Sequence, residues 1–515
     1  MISILLFYLQ KIKKLNTPAE VIKFSLSRYR KEIFLVEPSR NLEIKYEQLE
    51  KYMKNIASFL IKKGLRNPDV VGFYSPNSYE YFVVRGGAHL ANLVFFPLPH
   101  YLGEKEIIYF LRKSETKILF ARGNLEKIKE KTKLEEIIDL DKEVFPQIIS
   151  SQHSSFTFPK ISPFHLATLN LSSATTTRIP KIVKLTNKNW MFSLYNYLSA
   201  SHSLPKNKII FLSPLSLATA GSTTFLPLLL SGATTIIINE FSPSQLISYI
   251  KKYNVNRLYL TSSWFLELLW WCKKENERLN SLESIIIGTE RIPPLKLKEA
   301  IEFFGPKINV GYGMVEALPP LTMLSPYHYY KKGRLKTKLL ESVGKIIKGV
   351  KLKVINDCGS FPKIGRIAIK SPTVSSGYLK IEKTKYFKKG WFYSKDYGFI
   401  EKNFLYFSGR EEDVFHKEEN FIFAQNIEDK LYSLSFIKRC AVILKDKGSF
   451  IFVSLEEGFD KEKAYNIIDE FYKKNFNKIL PLYKILIKEK LPLTPLGKLD
   501  RKKLEKEVKN FSFLC

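Results

Sequence analysis

One lysine near the C-terminus lies in a segment suited to projecting a charged side chain. Lys498 lies within LPLTPLGKLDRKKL, residues 491–504. The prolines and Thr494 stiffen such a loop, and Gly497 allows a tight turn directly before the lysine. An ammonium group presented in this way can stabilise negative charge on a substrate. A surface turn before a C-terminal helix would show the same local pattern, so the interpretation depends on the rest of the chain.

Four further segments carry side chains that could take part in chemistry. A Ser/Thr-rich stretch, LSSATTTRIPKIVKL, leads into Lys181. INVGYGMVEALPP contains Tyr312 and Glu316, GWFYSKDYGFI contains Asp396, and FSGREEDVF contains Arg410. Taken alone, each segment would also suit an ordinary loop, turn or strand, and only their combination is informative.

Alternating helix and strand patterns predict the elements that position these side chains. From about residue 45, amphipathic stretches such as YEQLEKYMKNIASFLIKKG alternate with short apolar runs such as VVGFYS and VFFPLP. The alternation recurs between residues 205 and 310, and it predicts a layered α/β body with mostly parallel strands. Shorter strands with Gly and Pro turns from about 340 to 407 predict a small β-rich subdomain. We therefore predict an N-terminal domain at 1–408 and a small α+β C-terminal domain at 409–515.

Size, charge and cysteine content limit the classes of protein to consider. The 515 residues exceed what one hydrophobic core usually supports, so two or more domains are expected. The net charge of +32 comes mostly from lysines spread over the whole chain and interleaved with glutamates. Such spacing is typical of solvated helix faces, and we expect no nucleic-acid partner. The four cysteines form no CxxC pair, which argues against a disulfide framework or zinc site and favours a reducing, cytoplasmic location.

The N-terminal segment MISILLFYLQKIKK is apolar and then basic. It lacks the basic start and the cleavage site of a signal peptide. No apolar run reaches the roughly 18 residues needed to span a bilayer. We expect a first helix packed on the body, with peripheral contact to a membrane surface as the alternative.

In combination, these segments resemble the adenylate-forming superfamily of acyl-CoA synthetases, 4-coumarate–CoA ligases and beetle luciferases. The resemblance runs from about residue 45 to the C-terminus. It implies a large layered N-terminal domain and a small mobile α+β lid. It also implies that ATP and Mg²⁺ serve to convert a carboxylate into an acyl-adenylate and pyrophosphate. The lid then rotates, and the acyl group passes to a thiol, usually that of CoA.

The resemblance assigns several residues to nucleotide binding. It implies that the Ser/Thr-rich loop wraps the ATP phosphates with backbone N–H groups and hydroxyls, here with Thr176, Thr177 and Lys181. Gly288, in IIIGTERIPP, matches the segment beside the adenine. Tyr312 matches the tyrosine that stacks on adenine.

The charged residues receive roles by the same resemblance. Glu316 matches the glutamate that holds Mg²⁺, and Asp396 matches the carboxylate that binds the ribose hydroxyls. Arg410 matches the arginine that reaches the ribose or phosphates. Lys498 is implied to contact both the substrate carboxylate and the α-phosphate of ATP, where it stabilises developing charge.

The chain departs from the family pattern at several positions. In an ungapped register Thr175, Arg178 and Ile182 replace glycines of the phosphate loop, and a register with one insertion also leaves this loop without glycine. A side chain at a positive-φ position costs roughly 1–2 kcal/mol. Val315 replaces the threonine that bonds the α-phosphate, and Glu419 replaces a glycine that lines the path to CoA.

These observations lead to one function with two alternatives. The segment PLSLATAGSTTF carries Ser216 and Leu217 where the family has an aromatic–His pair, and its apolar, small side chains favour a fatty or other hydrophobic acid. The expected function is ATP-dependent activation of such an acid and transfer to CoA. The alternatives are loading of an acyl carrier protein, and a degenerate member with little or no activity.

Overall fold

The described part of the protein contains helices where the sequence shows amphipathic periodicity. The computed structural model describes residues 14–123, 126–151, 157–172, 179–200, 207–355, 363–382, 386–417, 420–445, 448–509 and 511. The α-helices are α1 (Pro18–Arg28), α2 (Tyr46–Lys62), α3 (Tyr79–Leu90), α4 (Glu104–Ser114), α5 (Glu126–Glu130), α6 (Val144–Ser150), α7 (Asn187–Ala200), α8 (Phe225–Leu230), α9 (Pro243–Lys252), α10 (Ser262–Lys274), α11 (Pro294–Phe304), α12 (Pro326–Tyr329), α13 (Ala424–Leu431), α14 (Lys461–Phe476) and α15 (Arg501–Glu507). Short 3₁₀ turns lie at Pro38–Arg40, Ala220–Thr224, Thr337–Glu341 and Glu411–Asp413.

The strands follow the apolar runs of the sequence. They are β1 (Ile33–Glu37), β2 (Leu42–Lys45), β3 (Val70–Tyr74), β4 (Val94–Leu98), β5 (Thr116–Ala121), β6 (Glu136–Asp139), β7 (Leu166–Leu171), β8 (Ile182–Thr186), β9 (Ile210–Ser213), β10 (Thr234–Ile237), β11 (Arg257–Thr261), β12 (Ser284–Gly288), β13 (Ile308–Met314), β14 (Ala317–Leu324), β15 (Tyr330–Lys331), β16 (Arg334–Leu335), β17 (Lys345–Ile346), β18 (Lys351–Ile355), β19 (Gly365–Lys370), β20 (Phe387–Lys388), β21 (Trp391–Glu401), β22 (Phe404–Arg410), β23 (Val414–Lys417), β24 (Asn420–Phe423), β25 (Ile437–Lys445), β26 (Gly448–Leu455) and β27 (Leu482–Ile487).

The N-terminal part is built on two sheets. One has the order β6-β5-β3-β4-β7-β8 and is parallel except for the antiparallel pair β7–β8. Its central strand β3 is buried along nearly its whole length, as expected for a parallel strand that helices cover on both faces. Helices α2 and α3 can pack closely here because Gly86 and Gly87 face Met53 and Ile56, where added Cβ atoms would overlap the side chains.

The second sheet has 14 strands and combines strands of the alternating α/β region with strands of the β-rich region. Strands β1, β10, β9, β11, β12 and β13 are parallel neighbours, and β14, β17, β22, β21, β19 and β18 continue the sheet with antiparallel pairing. The predicted β-rich region from 340 to 407 therefore extends the large sheet through β14 and β17. The carboxyl ends of β11, β12 and β13 lie side by side, which is where ligands bind in open α/β sheets.

The C-terminal part is smaller and has its own core. Strands β25, β26 and β27 form a three-stranded sheet that packs with α13 and α14 around apolar side chains such as Ile427, Val442 and Ile468. The predicted α/β class, with a large sheet-rich N-terminal domain and a smaller C-terminal domain, is confirmed. The boundary at 408/409 stays a prediction, and it falls within β22, which pairs with β21 as far as Arg410.

Within the described ranges, no helix is both long enough and apolar enough to cross a bilayer. The expected first helix falls on residues 1–13, which lie outside the described residues.

Candidate active site

Strands β13, β21 and β22 bring three of the predicted site residues into contact. The Tyr312 hydroxyl donates a 2.8 Å hydrogen bond to Oδ2 of Asp396. Arg410 places its Nε 3.4 Å from Oδ1 of the same carboxylate, because the two residues are cross-strand partners. Burial raises the pKa of Tyr312 well above its ordinary value, and the Asp396 charge adds to this rise. The phenol therefore remains a hydrogen-bond donor, and the carboxylate is held on both sides.

Glu316 lies in the turn between β13 and β14 and is held by a second tyrosine. The Tyr378 hydroxyl donates a 3.0 Å hydrogen bond to Glu316 Oε1. Burial raises the pKa of Glu316, while the bond from Tyr378 and the charge of Lys181 oppose this rise. Lys181 rests on aromatic rings, with its Nζ 3.9 Å from the ring centre of Tyr386 and 4.7 Å from that of Tyr378. A partly buried carboxylate, a lysine and two tyrosines thus form one cluster.

The predicted phosphate loop connects β7 to β8. At its base the Ser172 N–H donates to the Lys181 carbonyl at 2.9 Å, and the Lys181 N–H donates to Ser172 Oγ at 3.0 Å. These two bonds join the ends of the loop at the site. Thr176 and Thr177 fall in 173–178, outside the described residues, so their phosphate-binding role stays a prediction.

Lys498 is presented by the tight turn that Gly497 makes possible. Gly497 has a φ of +69°, and its N–H donates to the Thr494 carbonyl at 2.9 Å. The Lys498 N–H donates to Thr494 Oγ1 at 3.2 Å. Burial lowers the pKa of Lys498 to about 8; nearby Glu290 opposes this shift, and Arg410 adds to it. The next residue, Leu499, donates its N–H to Glu290 at 2.8 Å, so the turn that carries the lysine rests against the N-terminal part.

The end of β12 holds the predicted Gly288, and the residues after it, Thr289 and Glu290, are ones that the sequence did not single out. At Gly288 an added Cβ would lie 2.9 Å from the Tyr259 hydroxyl, so a side chain there would have to displace that ring. Thr289 adopts a φ of +70°, which is strained for a β-branched residue. Its Oγ1 is buried without a hydrogen-bond partner among the described residues. Glu290 accepts a 2.8 Å hydrogen bond from the Leu499 N–H of the lysine turn. Neither the strain nor this long-range bond has a signal in the sequence.

The positions that depart from the family pattern have different surroundings. Val315 adjoins Glu316 and packs, partly buried, against the hydrophobic core of the N-terminal part. Thr175 and Arg178 of the phosphate loop, and Glu419 on the predicted path to CoA, lie outside the described residues. Their predicted effects on ATP and CoA binding stay predictions.

The described site residues are electrostatically coupled into one site. Asp396 bonds Tyr312 and raises the pKa of Glu316, while Arg410 pairs with Asp396 and lowers the pKa of Lys498. The site residues predicted from sequence that the structure describes here are Lys181, Gly288, Tyr312, Glu316, Asp396, Arg410 and Lys498. A fixed carboxylate, an arginine, a second, partly buried carboxylate and two lysines can bind a phosphorylated, hydroxyl-bearing ligand such as a nucleotide.

Comparisons with known proteins agree with this geometry. Residues 24–379 match the family described as AMP-binding enzymes. A medium-chain fatty-acid–CoA ligase of Escherichia coli (strain K12) is 23% identical over 492 residues, which cover 90% of this chain and 85% of the relative. 4-Coumarate–CoA ligase 1 of Petroselinum crispum is 24% identical over 497 residues, which cover 90% of this chain and 89% of the relative.

A solved structure shares the fold. The anthranilate CoA ligase AuaEII, in complex with anthranoyl-AMP, superposes with a TM-score of 0.85 at 19% identity and covers 96% of this chain and 97% of its own. At this identity the likeness shows a common fold alone. The family match, however, spans more than half of the chain and confirms the resemblance carried by the motifs. The chain therefore belongs to the family of AMP-binding enzymes.

Proposed function

We propose that the protein is an AMP-forming acid–thiol ligase. It converts a carboxylic acid and ATP into an acyl-adenylate and pyrophosphate, and then passes the acyl group to the thiol of CoA. The proposal depends chiefly on one observation, the Asp396 carboxylate held between the Tyr312 hydroxyl and Arg410. Family membership and the CoA ligases among the relatives support it.

Asp396 and Tyr312 form the nucleoside end of the proposed site. Asp396 is only 8% exposed and is already oriented by Tyr312 and Arg410, so little reorganisation is needed for it to accept hydrogen bonds from ribose hydroxyls. Such charge-assisted bonds are stronger than neutral ones. The Tyr312 ring would lie against the adenine, while its hydroxyl stays bonded to the carboxylate.

Glu316 and Lys181 form the phosphate end. Among the described residues, no group of three or more His, Cys, Asp or Glu side chains could hold a metal by itself. A single partly buried carboxylate, fixed by Tyr378, fits Mg²⁺ that is bound largely by substrate phosphates. Mg²⁺ held there would neutralise phosphate charge during displacement. Lys181, at the base of the predicted phosphate loop, adds a positive charge beside Glu316.

Lys498 contributes charge at the reacting centre. In the first step a substrate carboxylate oxygen bonds to the α-phosphorus, and the bond from that phosphorus to pyrophosphate breaks. A pKa of about 8 leaves roughly nine in ten Lys498 side chains protonated at pH 7. The ammonium can then stabilise the negative charge that accumulates on the α-phosphate oxygens, without transferring a proton.

The acid is proposed to be hydrophobic. Leu215 and Ala218 are buried in the segment that replaces the family's aromatic–His pair. Gly221 cannot carry a side chain, because its Cβ would lie 2.8 Å from the Ser216 carbonyl oxygen. The segment thus carries apolar side chains and no charged group.

CoA is proposed as the acceptor, and a carrier protein is the alternative. The net charge of +32 would suit an acidic carrier, and such binding would weaken with salt because screening shortens electrostatic range. Comparing CoA with a phosphopantetheine-loaded carrier at low and high salt separates the two. Transfer to the carrier with none to CoA would replace the CoA proposal.

The deciding experiment is pyrophosphate release. Purified full-length protein, Mg·ATP and a panel of acids (octanoate, 4-coumarate and anthranilate among them) should release pyrophosphate with at least one acid. The matched control is Lys498→Ala, which removes the ammonium from the site. If no acid gives release above this control, the protein is the degenerate member and the proposal fails.

A further inference from the structure

The turn that carries Lys498 rests on the N-terminal domain at three points. The Thr261 hydroxyl donates a 2.6 Å hydrogen bond to the Gly497 carbonyl. Glu290 Oε1 accepts a 2.8 Å bond from the Leu499 N–H. The Trp264 indole lies against the Gly497 Cα, where any Cβ would overlap the ring. We call Thr261, Trp264 and Glu290 the lysine seat.

The lysine seat is itself held in place at the start of α10. Thr261 Oγ1 also accepts a 3.1 Å bond from the Trp264 N–H, which caps the helix. Glu290 Oε2 accepts bonds from Ser263 Oγ at 2.9 Å and from the Ser263 N–H at 3.2 Å. The Trp264 ring stacks on Phe241, with centroids 5.1 Å apart and an interplanar angle of 11°. All three seat residues therefore also have contacts within the N-terminal domain.

The seat contacts flank Lys498 directly. Thr261 bonds the residue before it and Glu290 bonds the residue after it, so the backbone of Lys498 is fixed relative to the N-terminal domain. Two other contacts between the parts involve lid residues far from the lysine turn in sequence. Glu267 pairs with Arg439 at 3.3 Å, and the Trp270 indole N–H donates to Glu456 at 2.7 Å. Those contacts hold the lid as a body, whereas the seat locates the lysine.

We propose that Thr261, Trp264 and Glu290 are positioning residues that align Lys498 for acyl-adenylate formation and not for thiol transfer. The inference rests on the proposed function. Only the first step needs an ammonium at the α-phosphate as phosphorus is attacked, and a misplacement of about 1 Å can cost roughly 100-fold in rate. Transfer forms a bond from the thiol sulfur to the acyl carbon and releases AMP, while the thiol loses its proton to solvent. The seat contacts the lid at Gly497 and Leu499, the two residues that flank Lys498.

The two half-reactions test the proposal separately. Glu290→Ala should lower pyrophosphate release from Mg·ATP and octanoate by about 10- to 100-fold. The same variant should convert synthetic octanoyl-AMP and CoA to octanoyl-CoA at a rate within about twofold of the unaltered protein. Glu290→Gln, which keeps an acceptor oxygen for the Leu499 N–H, should recover most of the first rate. Equal losses in both half-reactions, or no loss in the first, would overturn the proposal.

Two further variants distinguish a local effect on the lysine turn from a general folding defect. Gly497→Ala places a Cβ into Trp264. Like Glu290→Ala, it should slow pyrophosphate release and leave thiol transfer nearly unchanged, although it alters the lysine turn and not the seat. Glu299→Gln is the matched control, since Glu299 pairs with Lys273 and Lys296 within the N-terminal domain. It should leave both half-reactions unchanged. Similar losses in this control would mean that the effects reflect general destabilisation, and the proposal would be rejected.

Amide hydrogen exchange tests the seat without any activity. The Leu499 N–H should be protected in the full-length protein and should exchange at least about tenfold faster in Glu290→Ala. If the unaltered protein releases no pyrophosphate with any acid, the proposed function fails. The exchange rate of the Leu499 N–H still shows whether Glu290 holds the lysine turn. Unchanged exchange in Glu290→Ala would overturn the seat itself.

Discussion

The Tyr378 hydroxyl donates a 3.0 Å hydrogen bond to Glu316, and Lys181 lies over the ring of the same tyrosine. One side chain therefore links the proposed metal-binding carboxylate to the base of the predicted phosphate loop. Without that hydroxyl the carboxylate would lose the contact that orients it. We therefore expect the tyrosine to position Glu316.

Tyr378→Phe is predicted to weaken the response to Mg²⁺. A hydrogen bond to a charged group contributes about 1.5–3 kcal/mol, so we expect the Mg²⁺ concentration at half-maximal pyrophosphate release to rise by about tenfold or more. Direct binding of Mn²⁺ with ATP, followed by electron paramagnetic resonance, gives a readout without turnover. Tyr386→Phe keeps the ring that Lys181 contacts and leaves the Glu316 bond intact, so it should change little. An equal effect of both variants would contradict a specific role for Tyr378.

The rate of adenylation is predicted to fall as pH rises through about 8. The proposed role needs the protonated form of Lys498, whose pKa is lowered to about 8 by burial. The charged form therefore predominates below this pH and is lost above it. Pyrophosphate release at limiting ATP, measured from pH 6.5 to 9.5, should show a descending limb, since kcat/KM reports groups of the free enzyme. In Lys498→Arg the residual activity should show no such fall at high pH. A fall that persists in this variant would mean that another group titrates.

Asp396→Asn is predicted to impair nucleotide binding more than Tyr312→Phe. The first change removes the charge that Arg410 pairs with and that the ribose would contact, while the second removes only one donor to a carboxylate that remains. We expect the Kd for ATP, from calorimetric titration, to rise by about 10- to 100-fold for Asp396→Asn, in line with about 1.5–3 kcal/mol for a charged hydrogen bond. Tyr312→Phe keeps the ring for adenine, and its Kd should rise less. The reverse order would place the nucleoside elsewhere.

Thr289→Gly is predicted to stabilise the fold and to weaken ligand binding. Glycine adopts a φ of +70° without the strain of a β-branched side chain, and the change also removes a buried hydroxyl without a described partner. We expect a gain of about 1 kcal/mol, seen as a higher melting temperature without ligand. Thr289→Ser keeps the hydroxyl and should keep the affinity for ATP. If Thr289→Gly both melts lower and binds ATP as before, the strain has no functional use here.

Much of the fold could be predicted because its signals are local. Apolar runs such as INVGYG and RLYLT became β13 and β11, and the glycine before Lys498 marked a tight turn. The pattern did not show that the β-rich region would join the large sheet through β17, since strand pairing is a long-range choice. It also placed the domain boundary inside β22, whose pairing with β21 extends to Arg410.

By itself the sequence determined which residue types are available for the chemistry and in what order they occur. It identified Lys498, Glu316, Asp396 and Arg410, and with them the family. Only the tertiary structure decided that Tyr378 holds Glu316, 62 residues away, and that Glu290 holds the lysine turn across 209 residues. Periodicity and turn propensity act over a few residues, whereas these contacts depend on sheet register and on how the lid docks. The sequence identified Lys498, and the structure shows which surface of the N-terminal domain its turn rests on.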